Sequence, residues 1–175
     1  MKILVAYATA HGSTAEVAEF IGKTLQDREF DVTVANVEQV NDAEAYDVFI
    51  LGSAIHGGMW LTEMSRFLEQ FATILIERPV FFFMTCIRVL EDGGYKHAVE
   101  NYINREMLER FDMQELTAFA GKLDLTRIDW DERWTLAARY DGSAAPGSYN
   151  RDYRDWEVIR KWTSRVADKL LTGAH

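Results

Sequence analysis

Hydroxyl and small residues are concentrated in a short segment near the N-terminus, residues 9–14, with the sequence Thr-Ala-His-Gly-Ser-Thr. The segment follows an apolar run at residues 2–7 and contains neither lysine nor arginine. Hydroxyls and backbone N–H groups at the start of a helix favour a phosphate dianion even without a basic side chain. A helical pattern begins at Ser13, and Glu16 completes a capping box with it. The segment therefore predicts either a phosphate-binding loop or a set of helix caps.

Three other phosphate-linked sites do not fit these residues. A Walker loop requires a lysine that the segment lacks, and the dinucleotide fingerprint G-x-G-x-x-G is also missing. A receiver domain would need a phosphorylatable aspartate at the end of the third strand, where the chain has Gly52 and Ser53 instead. The phosphate-loop and helix-capping interpretations both stay open at this point.

Two further loops carry glycines and an aromatic residue each. Residues 52–60 read GSAIHGGMW and residues 85–97 read TCIRVLEDGGYKH. Gly57 and Gly58 would allow a positive φ beside a bound ring, while Trp60 and Tyr95 supply the aromatic groups. If both loops share a sheet edge with residues 9–14, the three together surround one cleft. Such a cleft favours a flavin mononucleotide, FMN, over phosphate alone.

Strand and helix patterns alternate along the chain and predict how these loops are positioned. The predicted strands are residues 2–7, 31–37, 46–52, 80–86 and 115–125, and the helices are residues 13–26, 61–76, 94–111 and a closing helix from about residue 156. Parallel neighbours need crossover helices, so the pattern predicts an α/β fold, a doubly wound five-stranded parallel sheet with helices on both faces. Ligands bind such sheets at the carboxyl ends of the strands, where the strand order reverses. The chain of 175 residues predicts a single domain, 1–175, with an insertion at about 126–152 after strand five.

Composition restricts the partners and the location. The 19 basic and 28 acidic residues give a formal charge of -9, which argues against nucleic acid and against a polybasic membrane anchor. The chain has one cysteine, Cys86, and no apolar segment near the ~20 residues needed for a transmembrane span. Because a strand-like run begins at residue 2, no signal peptide is predicted. A cytoplasmic protein is predicted, with peripheral contact at a membrane left open. His11 and His56 lack further ligands in the sequence, so no metal is predicted.

Residues 9–14 resemble the T-x-[TS]-G-x-T phosphate loop of flavodoxins, with His11 replacing the usual hydroxyl residue. Within that superfamily the chain is most similar to the flavodoxin-like, menaquinone-dependent protoporphyrinogen oxidases. The similar segments are ATAHGST (8–14), GSAIHGG (52–58), AGKLDL (120–125), WDERW (130–134) and YRDWEVIRKW (153–162). The resemblance implies the strand order 2-1-3-4-5 and an FMN cofactor. One departure is the acidic insertion, which carries Asp129, Asp131, Glu132 and Asp141, whereas the insertion of that subgroup can be basic and apolar.

The resemblance also implies which residues bind the flavin. The first loop would supply Thr9, Ala10, His11, Gly12, Ser13 and Thr14; the second Ser53, Ala54, Ile55, His56, Gly57, Gly58 and Trp60; the third Thr85, Cys86, Ile87, Gly93, Gly94 and Tyr95. The flavin would carry the chemistry, and His56 is the one side chain considered as a proton donor.

Three functions are compatible with these features. The first is an FMN oxidoreductase that passes electrons from protoporphyrinogen IX to a quinone, favoured by Trp130, Trp134, Arg133 and Arg139 in the insertion. The second is an electron-transfer flavodoxin that shuttles electrons between protein partners, favoured by the acidic charge. The third is a non-redox domain with a decayed flavin site, against which the intact Gly-Ser-Thr of residues 12–14 argues.

Overall fold

The computed structural model describes residues 1–124 and 150–173, which contain eight strands, six α-helices and two short 3-10 helices (Val37–Gln39 and Ile87–Leu90). The strands are β1 (Lys2–Ala8), β2 (Asp31–Asn36), β3 (Val48–His56), β4 (Met59–Trp60), β5 (Pro79–Thr85), β6 (Asp112–Phe119), β7 (Lys122–Asp124) and β8 (Asn150–Asp152). The helices are α1 (Ser13–Gln26), α2 (Thr62–Gln70), α3 (Ala72–Ile76), α4 (Gly94–Asn101), α5 (Arg105–Leu108) and α6 (Trp156–Thr172). Within the described residues no helix is long and apolar enough to cross a membrane.

The main sheet runs β2-β1-β3-β5-β6, with every neighbouring pair parallel. The short β4 pairs antiparallel with the end of β3, outside that path. Counted without β4, the order is 2-1-3-4-5, so the predicted doubly wound sheet is confirmed. The order reverses at β1 and β3, and their carboxyl ends are followed by the first two predicted loops.

Both faces of the sheet are covered by apolar layers. Along β5, Phe82 belongs to the core cluster that contains α2, while Phe81 and Phe83 belong to the opposite cluster with α1 and α6. This alternation explains why the strand is apolar at every position, since helices pack on both of its sides. Gly52 of β3 makes room for the Phe83 ring, which lies 1.9 Å from where a Cβ would stand.

Three predicted elements are divided in the structure. The predicted helix 61–76 breaks at Phe71, whose backbone (φ -106, ψ 17) leaves the helical region, and helix 94–111 separates into α4 and α5. The predicted strand 115–125 begins earlier, at Asp112, and ends at Phe119. Residues 122–124 leave the sheet as β7 and pair antiparallel with β8. Of the predicted insertion 126–152, only β8 falls within the described residues.

The predicted capping box of Ser13 and Glu16 is wrong. Gly12 occupies the N-cap position of α1 in the left-handed region (φ 93), and within the described residues no side chain caps this N-terminus. Ser13 is the first helical residue, one position too late to be the cap. The Glu16 carboxylate instead forms an ion pair with Arg154, 2.8 Å away.

Candidate functional site

A cleft of about 130 Å³ lies at the carboxyl ends of β1, β3 and β5. Nine of the residues predicted from sequence line it: Thr9, Ala10, His11, Ser13, Ala54, Ile55, Thr85, Cys86 and Ile87. Three further lining residues, Gly121, Lys122 and Leu123, come from the turn into β7. The structure thus brings the three predicted strand ends together, at the sheet position where α/β folds bind ligands.

The first loop leaves the N-terminus of α1 available to a ligand. The Gly12 N–H donates to the Thr9 hydroxyl at 2.9 Å, which folds the loop over the start of the helix. Gly12 has a φ of 93, and no atom of residues 1–124 or 150–173 lies within 4 Å of a Cβ built on it. Since a helix begins with N–H groups that have no partner inside the helix, this open and uncapped first turn fits an anionic group such as a phosphate.

Thr14 does not line the cleft. The residue is fully buried, and its hydroxyl is hydrogen-bonded to the Thr85 hydroxyl, with the two oxygens 2.7 Å apart. The bond ties the first turn of α1 to the last residue of β5. Thr14 therefore holds the loop against the end of β5, whereas its neighbour Ser13 lines the cleft.

The second loop reaches the cleft only through Ala54 and Ile55. Ser53 is buried, and its hydroxyl accepts from the Leu61 N–H at 3.1 Å, which closes the β3–β4 hairpin. Trp60 is also buried and packs edge-on against Phe82, with 5.6 Å between the ring centroids. Trp60 is thus a core residue and not a cleft residue.

The turn of this hairpin has the backbone conformation that its glycines suggest. Gly57 and Gly58 both have a positive φ, 58 and 77, which a residue with a Cβ adopts only with strain. His56, at the end of β3, is exposed. These three residues lie beside the cleft lining without being part of it.

The third loop contributes Thr85, Cys86 and Ile87 to the cleft. Cys86 is 6% exposed as a residue, and its sulfur accepts from the Arg88 N–H at 3.3 Å. Burial raises the pKa of the Cys86 thiol above its ordinary value, although the hydrogen bond from Arg88 opposes the shift. The thiol is therefore protonated at neutral pH and a poor nucleophile.

The remaining predicted residues of that loop lie at the start of α4. Gly93 caps the helix with a φ of 69, and Gly94 packs so closely that a Cβ would stand 1.8 Å from the Arg88 carbonyl oxygen. Tyr95 is 48% exposed, with its hydroxyl 3.5 Å from that of Thr117. None of the three lines the cleft in the part of the chain described.

The ribbon formed by β7 and β8 supplies a wall of the cleft that was not predicted from the sequence. Lys122 pairs with Asp152 across the ribbon, and the Tyr153 N–H donates to the Gly121 carbonyl at 3.3 Å. Lys122 brings a cation to a loop that has none of its own. Lys122 belongs to the segment AGKLDL (120–125). Nothing in the spacing of that segment indicated that the chain turns back towards the first loop.

Arg154 follows the ribbon and is bonded to the first turn of α1. Its guanidinium donates to Asp152 at 2.8 and 2.6 Å and forms the ion pair with Glu16. The hydrogen bonds from Arg154 hold the pKa of Asp152 below its ordinary value, and the same bond raises the pKa of Arg154. Residues 1–124 and 150–173 contain no group of three or more His, Cys, Asp or Glu side chains that could hold a metal ion.

Comparison with known proteins identifies the class to which this fold and cleft belong. A family model described as a flavodoxin domain matches residues 4–146, so the chain belongs to the flavodoxin domain family. Together with the sheet order and the cleft, this makes it a flavodoxin-like redox protein.

Among curated proteins, the chain is 23% identical over 172 residues to protoporphyrinogen IX dehydrogenase (quinone) of Escherichia coli strain K12, covering 95% of each. Both predicted resemblances, to flavodoxins and to this subgroup, are confirmed. Among solved structures, the flavodoxin of Streptococcus pneumoniae TIGR4 matches with a TM-score of 0.60 and 15% identity, over 97% of this chain and 99% of that one. Oxidised flavodoxin 2 of Bacillus cereus matches with a TM-score of 0.53 and 24% identity, over 79% and 94%. At such identities the solved structures show the fold alone.

Proposed function

We propose that the protein binds FMN and works as an oxidoreductase that takes electrons from protoporphyrinogen IX and passes them to a quinone. The cleft between the three strand ends, with the uncapped first turn of α1 at one side, is the observation that carries the cofactor assignment. The choice of substrate follows the E. coli relative, whose name specifies protoporphyrinogen IX and quinone and of whose length the chain covers 95%. Cytoplasmic location, with peripheral contact at a membrane, belongs to the same proposal.

The chain's own residues would bind and orient the flavin. Thr9 and the first-turn N–H groups would hold the 5′-phosphate, while Ala54 and Ile55 would contact one edge of the ring and residues 85–87 another. FMN, when bound, supplies the acceptance and release of electrons. Gly57 and Gly58 lack a Cβ and have a positive φ, so their peptide would be able to turn a carbonyl towards the edge of a bound ring. His56, exposed at the end of β3, stays a proposed proton donor.

An electron-transfer flavodoxin is the second proposed function. The formal charge of -9 supports it, because an acidic surface steers a carrier towards basic protein partners. The redox partner under this alternative is an electron-transfer protein instead of a porphyrinogen or quinone.

The test begins with flavin binding and continues with turnover. Titration of apoprotein with FMN should quench flavin fluorescence and shift its visible spectrum. The loaded protein is then mixed anaerobically with protoporphyrinogen and with several quinones. In a separate experiment its flavin is first reduced with dithionite, and the reduced protein is mixed with a one-electron protein acceptor. Porphyrin formation that depends on the quinone supports the enzyme; rapid reduction of the protein acceptor without porphyrin formation supports the carrier. Absence of any flavin binding contradicts both.

A variant of the 126–149 segment separates the two functions further. Replacing this segment by a short Gly/Ser link retains β8 and hence the ribbon wall of the cleft. We expect FMN to bind this variant as it binds the full chain, since every cleft-lining residue of the described part of the chain is retained. Turnover of a porphyrinogen should be lost, because Trp130, Trp134 and the nearby arginines are proposed to contact the large planar substrate. Unchanged porphyrinogen turnover would contradict that role.

A further inference from the structure

Arg154 is a buried cation beside the cleft, with a side chain that is 3% exposed. Its guanidinium donates from Nε and Nη2 to the two carboxylate oxygens of Asp152. Its Nη1 lies 2.8 Å from Glu16 Oε2 and 3.4 Å from the Ser13 carbonyl oxygen. The guanidinium also stacks on the Trp156 ring, 4.5 Å from its centroid. A planar fork with five fixed donors suits this arrangement, whereas a lysine would satisfy only part of it.

These contacts join two walls of the cleft. Ser13 and Glu16 belong to the first turn of α1, and Asp152 is the partner of Lys122 across the ribbon. Ser13 and Lys122 both line the cleft. Arg154 therefore sets the distance between the helix N-terminus and the ribbon.

The same contacts determine the electrostatics around the first turn. Glu16 and Asp152 place two carboxylates beside the open N-terminus of α1, and both would repel a phosphate dianion. Like charges a few ångströms apart repel strongly where solvent is partly excluded. Arg154 bridges the two carboxylates and Lys122 lies across the ribbon from Asp152, so the formal charges of these four side chains balance.

We infer that Arg154 is the positioning residue of the phosphate-binding loop: it offsets the negative charge of Glu16 and Asp152 and fixes the ribbon against α1, and it thereby gives the cleft its preference for a phosphorylated flavin. This inference rests on the proposed FMN cofactor and adds to it a source of selectivity for FMN over riboflavin.

The experiment compares FMN and riboflavin as probes of the same site. Dissociation constants are measured by quenching of flavin fluorescence for the wild type, Arg154→Gln, Arg154→Lys and Glu16→Gln. Arg165→Gln is the matched control, because it removes the same charge from an exposed ion pair with Glu115 that lies outside the cleft lining. Urea unfolding of each apoprotein is recorded in parallel.

We expect Arg154→Gln to weaken FMN binding by about tenfold or more and riboflavin binding by less than about threefold. Arg154→Lys should fall between the wild type and Arg154→Gln for FMN. The FMN defect should shrink at about 0.5 M salt, where the repulsion between carboxylates and phosphate is screened. Arg165→Gln should bind both flavins like the wild type.

Adding Glu16→Gln to the Arg154→Gln variant should restore several-fold of the FMN affinity, because it removes one of the exposed charges. A merely structural role would show equal losses for FMN and riboflavin and no rescue, and that result overturns the inference. If Arg154→Gln does not fold, Glu16→Gln alone decides: it keeps Arg154 and should bind FMN at least as tightly as the wild type, so weaker FMN binding overturns the inference. A wild type that binds neither flavin overturns the proposed function as well, whereas normal FMN binding by Arg154→Gln overturns only the role of Arg154.

Discussion

Replacing Thr14 by valine tests whether its hydroxyl holds the loop or the ligand. The motif that this chain shares with flavodoxins suggests a hydroxyl directed at the phosphate. In the structure that hydroxyl is buried and bonded to Thr85 at 2.7 Å. Valine has nearly the same shape, so the substitution removes the hydrogen bond without creating a cavity and leaves the Thr85 hydroxyl without its partner.

The expected loss of stability follows from that unsatisfied group. Removing one partner of a buried hydrogen bond costs about 1–3 kcal/mol, because the remaining group stays desolvated. For a domain of this size that corresponds to a decrease in Tm of roughly 2–4 °C per kcal/mol. The double variant Thr14→Val/Thr85→Val should lose less than the sum of the single variants, since both partners of the bond are then absent.

Urea unfolding of the apoproteins measures these differences, and titration with FMN and riboflavin measures binding. Thr163→Val is the control, because this buried hydroxyl donates to the Ile159 carbonyl within α6, outside the cleft lining. We expect the ratio of the FMN and riboflavin dissociation constants of Thr14→Val to stay within about twofold of the wild-type ratio. A loss of FMN affinity alone, at unchanged stability, would refute the reasoning, because it would mean that the Thr14 hydroxyl contacts the phosphate.

Three further predictions concern single residues. Gly52→Ala should destabilise the fold by about 1–3 kcal/mol by overpacking, since its Cβ would meet the Phe83 ring; urea unfolding measures this, and wild-type stability would contradict it. Cys86 should react with iodoacetamide more slowly than free cysteine at pH 8, because its thiol is buried and has a raised pKa. Bound FMN should slow the reaction further, because Cys86 lines the cleft. Labelling at the rate of free cysteine would be inconsistent with the burial of the thiol. Arg154 lowers the pKa of Asp152 below the ordinary 3.8, so the stability that Asp152 contributes is present above that pH and is lost as pH falls through the lower folded value. The stability difference between wild type and Asp152→Asn, measured by urea unfolding from pH 7 to pH 3, should therefore decrease on the acid side, and a constant difference would contradict the ion pair.

Local patterns were sufficient to predict most of the fold. The helix 13–26 is observed with those bounds, and the sheet order agrees with the prediction, because continuous apolar runs and helical spacing are both local properties of the chain. The division between β6 and β7 was not predictable in the same way. β7 exists because it pairs with β8, whose residues follow about 25 positions later, and no local signal specifies that pairing.

The first loop shows what a motif can and cannot predict about a site. Its residue types indicated a ligand at the start of α1, and the cleft lies there. They did not indicate which hydroxyl faces it. Ser13 and Thr14 are neighbours on a helix and therefore point about 100° apart. Ser13 lines the cleft and Thr14 is hydrogen-bonded to Thr85. The rotation of the helix against β5 therefore decides which of the two hydroxyls faces the cleft.

Net charge is a poor guide to whether such a cleft accepts an anion. The chain carries a formal charge of -9, yet around the first turn of α1 two cations, Lys122 and Arg154, stand with two carboxylates, Glu16 and Asp152. This local balance depends on contacts between residues about 140 positions apart, such as the bond from Arg154 to the Ser13 carbonyl. Interactions between exposed charges fade within about 10 Å at 0.1 M salt, so the local balance governs a bound phosphate, while the overall charge governs the approach of a large partner. The acidic surface and an anion site are therefore compatible in one chain.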